Sequence, residues 1–222
     1  MRSTSRAAST VILACLLLAG CRSVSLGTST SSESRSPAAG ASDTAVPNES
    51  GPIAVGEGPQ KHYTVRQQPT VGSCHYRYEH GEPLEDPACT PGAISPAVTQ
   101  ANLKSTICRK GGYTSDVRPS AYVTGKEKKL NAASYGYIGS MADAEYDHLI
   151  SLQLGGDPND PRNLWVEPAD PGHKKGAGVN NKKDPVETKL HTAVCKGQVS
   201  LAAAQQAIVT DWTTALTVLH LG

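Results

Sequence analysis

Apolar residues recur at helical spacing towards the C-terminal end of the chain. Ser200 is a suitable N-cap for a helix that continues to about residue 219. Its predicted buried stripe consists of Leu201, Ala204, Ile208, Trp212 and Leu216. A shorter helix is predicted from Asp184, as N-cap with Pro185 behind it, to about Cys195.

The middle of the chain mixes further helical patterns with two short strand patterns. Ser95-Pro96 predicts a helix start with an end near Cys108, and residues 126–135 predict a short basic helix. Residues 148–154 partly alternate apolar with polar residues and end at Gly155-Gly156, which predicts a strand entering a turn. Residues 163–166 predict a short return strand, so the expected class is α+β.

The N-terminal region does not fit a folded domain. A basic start and a short apolar run over about residues 11–19 are typical of an export signal, because a membrane-spanning helix needs about 20 apolar residues. Residues 22–58 hold twelve Ser or Thr residues and no aromatic residue, a composition that favours a flexible tether. The predicted domains are therefore a signal over 1–20, a disordered tether over 21–59 and a folded domain over 60–222.

The sequence before Cys21 refines the nature of that signal. Leu18-Ala19-Gly20-Cys21 resembles the lipobox of bacterial lipoproteins. The resemblance implies that Cys21 is lipidated, palmitate included, and becomes the first residue of an exported protein anchored to the extracytoplasmic face of a membrane. A plain secretory signal with a chance cysteine is the alternative.

Four cysteines remain in the predicted domain, which in an exported protein indicates two disulfides. Four cysteines allow three pairings. The favoured pairing joins Cys74 to Cys89 across a Pro-rich loop and Cys108 to Cys195 across the two halves of the domain. A zinc site is the competing interpretation, and the absence of a CxxC pair disfavours it.

Overall charge excludes a protein that coats nucleic acid through charge alone. Lys plus Arg number 21 against 20 for Asp plus Glu, so only a local charged patch is expected. A hydrophobic fraction of 38% with no Phe and two Trp indicates one modest core and excludes a polytopic membrane protein.

One stretch carries a more specific pattern. Asp147-His148-Leu149 leads to Leu154-Gly155-Gly156 and is followed by Asn163-Leu164-Trp165 and Glu167-Pro168. The order strand, turn, strand, helix resembles the ββα-metal finger of HNH (His-Me finger) endonucleases, and the DHLxxLxLGG…NLWxEP pattern is similar to that of a group of exported bacterial proteins. The resemblance is closest over about residues 145–187.

The resemblance and the chemistry of these residues assign three roles. His148 is the predicted general base, since imidazole titrates near neutral pH. Asp147 is the predicted metal ligand, a hard oxygen donor suited to Mg²⁺, with Zn²⁺, Mn²⁺ and Ca²⁺ as alternatives. Asn163 takes the middle position of the motif, where it holds the loop that orients the histidine.

The last position of the motif departs from the family pattern. A second ligand is expected at the start of the final helix, where Asn181 is preferred over Asn180, with His173 in the preceding loop as the runner-up. The lysines around this position, Lys174, Lys175, Lys182 and Lys183, are candidates for phosphate contact or ordinary solvated surface.

Two functions from different classes follow. The first is a metal-dependent HNH-like endonuclease that hydrolyses phosphodiester bonds at the outer face of a membrane, with DNA favoured over RNA and a monomeric state expected. The second is a catalytically inactive HNH-like lipoprotein that binds an envelope or extracellular partner.

Overall fold

A computed structural model describes residues 51–179 and 181–222 of the chain. The strands are β1 Ala54–Val55, β2 Arg77–Glu79, β3 Glu82–Leu84, β4 Ala93–Ile94, β5 Glu145–His148 and β6 Leu164–Glu167. The helices are α1 Tyr113–Val117, α2 Ala121–Ser134, α3 Lys183–Cys195, α4 Leu201–Asp211 and α5 Ala215–Val218. Single 3₁₀ segments lie at Gln100–Ser105, Leu152–Leu154 and Pro161–Asn163. This mixture of helices and small strands confirms the α+β class.

The described strands pair only in twos. β1 is parallel to β4, while β2–β3 and β5–β6 are antiparallel. In the β5–β6 pair, Asp147 lies opposite Trp165 and His148 opposite Leu164. This pair, followed along the chain by α3, carries the residues of the sequence motif.

The strand predicted over residues 148–154 is wrong except at its first residue. β5 ends at His148, and Leu152–Leu154 form a 3₁₀ turn. Leu149 packs beside Tyr135 and Trp165, whereas Ile150 and Leu154 pack into the larger core against α3 and α4. Leu149 and Ile150 are therefore successive buried residues that belong to two different clusters. The chain bends here to place both, whereas a straight strand would direct their side chains to opposite faces. The return strand predicted at 163–166 is confirmed as β6.

The predicted helices are present with shifted ends. The helix expected over 126–135 is α2, which begins at Ala121, and the one expected from residue 96 is only the 3₁₀ segment. Ser200 caps α4 as predicted, since its hydroxyl accepts the Ala203 N–H at 3.2 Å. The final helix is interrupted after Asp211, because the carboxylate of Asp211 accepts bonds from the Thr213 N–H and hydroxyl and from the Thr214 hydroxyl.

Both predicted disulfides are present. Cys74 is bonded to Cys89, and Cys108 to Cys195, with loops of 15 and 87 residues. The longer-loop bond ties the segment before α1 to the end of α3. It therefore fastens α3, whose first turn lies at the candidate site, to a segment 87 residues earlier in the chain.

The packed part of the chain begins earlier than residue 60. Residues 54–58, placed in the tether by composition, pair with the domain: the Gly56 N–H donates to the Ile94 carbonyl at 2.9 Å, and the Gly58 N–H to Asp157 Oδ2 at 2.7 Å. Composition cannot reveal such pairing, since it uses backbone groups that every residue carries. The predicted signal, Cys21 and the tether up to residue 50 lie outside the described residues.

Within the described part of the chain, no helix combines the length and apolar character needed to cross a membrane.

Candidate functional site

β5 and β6 divide the motif residues between two faces. Successive side chains of a strand point to opposite sides, so Glu145 and Asp147 share one face while Tyr146 and His148 share the other. α3 begins beside the first of these faces. The predicted base and the predicted metal ligand are therefore neighbours in sequence with different surroundings.

Asn163 fixes the segment that joins the two strands. Its side chain is fully buried; Oδ1 accepts the Ile150 N–H at 2.9 Å, and Nδ2 donates to the carbonyls of Ile150 at 3.0 Å and Asp157 at 3.1 Å. Both ends of the loop are thus tied to one side chain. The next residue of this loop, Pro158, contacts His148.

The ring of His148 is held in one tautomer. Nε2 lies 3.0 Å from the Pro158 carbonyl oxygen, which can only accept, so Nε2 carries the hydrogen and Nδ1 keeps its lone pair. Nδ1 has no hydrogen-bond partner among residues 51–179 and 181–222. Burial lowers the pKa of His148 to about 4, against the opposing effects of the Pro158 bond and Asp147. The neutral imidazole is therefore the form present at neutral pH.

His148 lines a cavity of about 300 Å³ whose wall contains two basic residues and also the half-buried carboxyl group of Glu145. Arg118 precedes α2, is exposed, and forms no salt bridge within the described chain. Lys128 also lines the cavity, but its ammonium donates to the carbonyls of Met141 at 2.6 Å and Ala144 at 2.7 Å. Arg118 is therefore the cation available to a ligand in this cavity.

Asp147 is bound to an internal cation. Lys183, at the start of α3 and 1% exposed, donates to Asp147 Oδ2 at 2.7 Å and to the His148 carbonyl at 3.0 Å, and it also pairs with Glu187. Trp165 Nε1 donates to the same Asp147 oxygen at 3.3 Å. Sequence analysis placed Lys183 in a surface cluster; this is wrong, because the residue sits on the buried side of α3.

Further carboxylates surround this lysine. Burial, with the neighbouring Asp147 charge, raises the pKa of Glu145 to about 7, and burial raises that of Glu187 to about 7 against the opposing charge of Lys183. Burial and Asp147 also raise the pKa of Glu167, which lies opposite Glu145 and whose two oxygens are buried without a hydrogen-bond partner. Although burial disfavours the ammonium, Asp147, Glu187 and Glu167 raise the pKa of Lys183. We infer that the lysine is charged and that some of these acids are protonated.

The preferred second ligand, Asn181, has other partners. Its Oδ1 accepts the Asp184 N–H at 3.0 Å and its Nδ2 donates to Glu145 Oε2 at 2.9 Å. The runner-up His173 lies 3.3 Å from Asp143, and Asn180 lies outside the described residues. With Asn181 Oδ1 engaged in a helix cap and Asp147 Oδ2 in an ion pair, the predicted pair does not fit a divalent ion in this arrangement.

A different group has the geometry of a metal site. Within the described ranges, the ligand atoms of Cys108, His191 and Cys195 lie within 4.8 Å of one another, and this group could hold a metal ion. Its two sulfurs form the longer-loop disulfide, whereas a metal binds thiolates, so these ligands require a reduced bond.

One candidate, Lys183, was given the wrong role from the sequence, and another, Arg118, was missed. Lys183 had a usable signal, since Lys183 and Glu187 are four residues apart on one helix. Arg118 had none, because it is 30 positions from His148 in the sequence and only the fold places both at one cavity.

Comparisons of the chain with protein-family models, with curated proteins and with solved structures find no match. The function proposed below is therefore supported by the geometry of the site and by the resemblance of its sequence motif.

Proposed function

We propose that the domain is an HNH-like endonuclease that hydrolyses phosphodiester bonds of nucleic acid, with His148 as its general base. The observation that carries the proposal is the position of His148, whose Nε2 is held by Pro158 and whose Nδ1 has no hydrogen-bond partner in the described part of the chain. Arg118 in the wall of the same cavity supplies a charge complementary to a phosphate. The resemblance of the motif supplies the reaction class.

In the proposed reaction the scissile phosphate lies in the cavity beside Arg118. His148 Nδ1 takes a proton from a water molecule as the water oxygen forms a bond to phosphorus. The bond from phosphorus to one ester oxygen breaks, and that oxygen leaves with a proton from solvent. Arg118 balances negative charge that develops on the phosphoryl oxygens, while Asn163 and Pro158 keep the imidazole in place.

Metal dependence stays a prediction from the resemblance. A bound divalent ion would neutralise phosphate charge, but Asp147 and Asn181 do not fit such an ion as arranged, and no step is assigned to it. The assay therefore includes Mg²⁺, Mn²⁺ and a chelator as separate conditions.

The test is cleavage of single-stranded and duplex DNA and of RNA by the purified protein. We expect cleavage in at least one metal condition and its loss in His148→Ala. His75→Ala is the matched control, since His75 is exposed and lines no part of the cavity. Unchanged cleavage by a folded His148→Ala protein would rule out the assignment of the base.

The non-catalytic function keeps a specific argument in its favour. Each residue assigned to the metal has an oxygen engaged in a structural bond, Asp147 Oδ2 with Lys183 and Asn181 Oδ1 with the Asp184 N–H, as expected if the motif survives only as a scaffold. This alternative predicts no cleavage under any metal condition, together with unfolding when Asn163 is replaced.

Export and lipid anchoring are part of the proposal and depend on residues 1–21. In a bacterial host, we expect incorporation of labelled palmitate into the protein and its loss in Cys21→Ser. Labelling that persists in Cys21→Ser would place the lipid elsewhere.

A further inference from the structure

One face of α2 continues the wall of the His148 cavity. Ala121, Thr124, Gly125 and Lys128 line the cavity and lie at positions i, i+3, i+4 and i+7 of the helix, which share one face. At 100° per residue, Tyr122 and Lys129 lie on the strip next to this face, and Lys126 lies beyond Tyr122. A ligand leaving the cavity along α2 would therefore pass over these three side chains.

The exposed charge of this helix has a single sign. Lys126 and Lys129 are exposed. The one acidic residue of α2, Glu127, is fully buried and accepts the Arg66 N–H at 2.7 Å. Arg118, in the wall of the cavity, adds a third cation to these two lysines. The surface that the three residues form can therefore contact successive anionic groups, and α2 contributes no exposed carboxylate to it.

An exposed aromatic ring stands within this charged strip. Tyr122 is 69% exposed, and the Lys126 ammonium lies 4.2 Å from its ring centroid and 2.5 Å from its hydroxyl. The Lys126 ammonium therefore holds the Tyr122 ring in place from one side. Exposed aromatic rings beside a basic groove are the platforms on which bases of single strands stack.

The face of α2 that lines the cavity is open at its midpoint. Gly125 has no side chain, and no atom lies within 4 Å of the position that a Cβ would take there. A polymer can therefore approach the helix backbone between Thr124 and Lys128.

We propose that Arg118 and the outer face of α2 form the binding surface for a single-stranded nucleic acid that leads into the cavity. Arg118 binds the phosphate next to His148, Lys126 and Lys129 contact neighbouring phosphates, and Tyr122 stacks on a base. This inference rests on the proposed function, because it takes the cavity as the place of phosphodiester hydrolysis.

The test measures binding in a protein that cannot cleave. In a His148→Ala background with a chelator present, fluorescence anisotropy follows a labelled single-stranded DNA of about 12 nucleotides and its duplex. We expect Arg118→Gln to weaken binding by about 10-fold. Lys129→Gln should lower the slope of log affinity against log salt by about 0.7, the loss of one phosphate contact.

Tyr122 distinguishes the strand type. We expect Tyr122→Ala to weaken single-strand binding by at least about 5-fold and to leave duplex binding unchanged. The matched control is Lys196→Gln, an exposed lysine at the far end of α3 from Lys183, which should bind like the parent protein. Equal thermal midpoints verify that each exposed substitution keeps the fold.

Two results would overturn the inference. If the Arg118, Lys129 and Tyr122 variants bind like Lys196→Gln, α2 is not the binding surface. If Tyr122→Ala weakens duplex and single-strand binding equally, the assignment to single strands fails. Binding that depends on α2 without any cleavage by the wild-type protein would instead refute the proposed function and leave the binding surface in place.

Discussion

Replacing Lys183 with Met removes the cation at the centre of a buried acidic cluster. The side chain keeps a similar length, while the ammonium that bonds Asp147, Glu187 and the His148 carbonyl is lost. Glu145 and Glu167 lie close enough to repel the unpaired carboxylates further. The fold is expected to loosen where α3 meets β5.

The magnitude follows from the burial of the pair. Breaking a buried ion pair by removing one partner costs about 3–5 kcal/mol, because the other charge is left desolvated. Domains of this kind unfold with about 5–15 kcal/mol in total, so the loss is a large share. With a urea slope of about 2 kcal/mol per molar, the midpoint should fall by about 2 M.

The sign of the pH dependence is fixed by the unpaired acids. The folded-state pKa of Glu187 is raised above its unfolded value and should rise further without Lys183, so its ionised form destabilises the fold as the pH rises above about 4.5 and ceases to do so once protonated. The loss should therefore be largest at pH 8 and smaller at pH 4.5. Lys183 itself stays charged throughout, since its pKa is raised.

Urea denaturation of wild type, Lys183→Met and Lys182→Met provides the measurement. Lys182 is the matched control, because its own side chain is 62% exposed whereas that of Lys183 is buried. Its partner Glu82 is itself buried, so Lys182→Met is expected to lose some stability, but less than Lys183→Met. A double variant, Lys183→Met with Glu187→Gln, should recover part of the loss, since it removes charges of both signs. Equal midpoints for the two lysine variants at pH 8, or a loss that grows as the pH falls, would refute the reasoning.

Three further predictions concern stability. Burial, opposed by a neighbouring arginine, raises the pKa of Glu85 to about 7, above its value of 4.5 when unfolded. Ionisation of this one group should therefore lower stability by about 3 kcal/mol between pH 4.5 and 8. Glu85→Gln should reduce the pH dependence by about that amount in denaturant titrations, and an unchanged dependence would contradict the assignment. A Cβ at Gly156 would lie 1.7 Å from a backbone carbonyl oxygen, so Gly156→Ala should lower the free energy of unfolding by about 3 kcal/mol or more. Gly125 lies in mid-helix with open space around it, so Gly125→Ala should raise the thermal midpoint. A Gly156→Ala protein as stable as wild type would contradict the geometry. Replacing Cys108 and Cys195 by Ser should lower the free energy of unfolding by about 4–5 kcal/mol, because the bond closes a loop of 87 residues. Replacing Cys74 and Cys89, which close a loop of 15 residues, should lower it by about 3 kcal/mol. The reverse order of the two urea midpoints would count against the loop-entropy explanation.

Local patterns predicted those features that depend on a few neighbouring residues. Ser200 caps its helix because its hydroxyl reaches an N–H three residues on. β6 formed where expected, since Leu164, Trp165 and Val166 are all buried between neighbouring elements. The cysteine pairing that the sequence favoured among three is also confirmed, with the earlier pair joined locally and the later pair joined across the domain.

Other features were missed because their causes lie far away in the sequence. Leu149 and Ile150 leave the predicted strand since two separate clusters require their side chains. β1 was assigned to the tether because its partner, β4, supplies backbone groups that composition does not reveal. Lys182 and Lys183 are adjacent in the sequence, but Lys182 is exposed and Lys183 is buried, because successive residues of a helix point in different directions.

The sequence by itself determined the α+β class, the presence of two disulfides, and the residues Asp147, His148 and Asn163 as candidates, because each depends on local spacing or on residue chemistry. Only the tertiary structure decided their surroundings. It gave Asp147 an ammonium partner, His148 a free Nδ1 and Arg118 a place at the same cavity. The physical reason is that charge and burial at a site come from side chains that meet only when distant segments pack together.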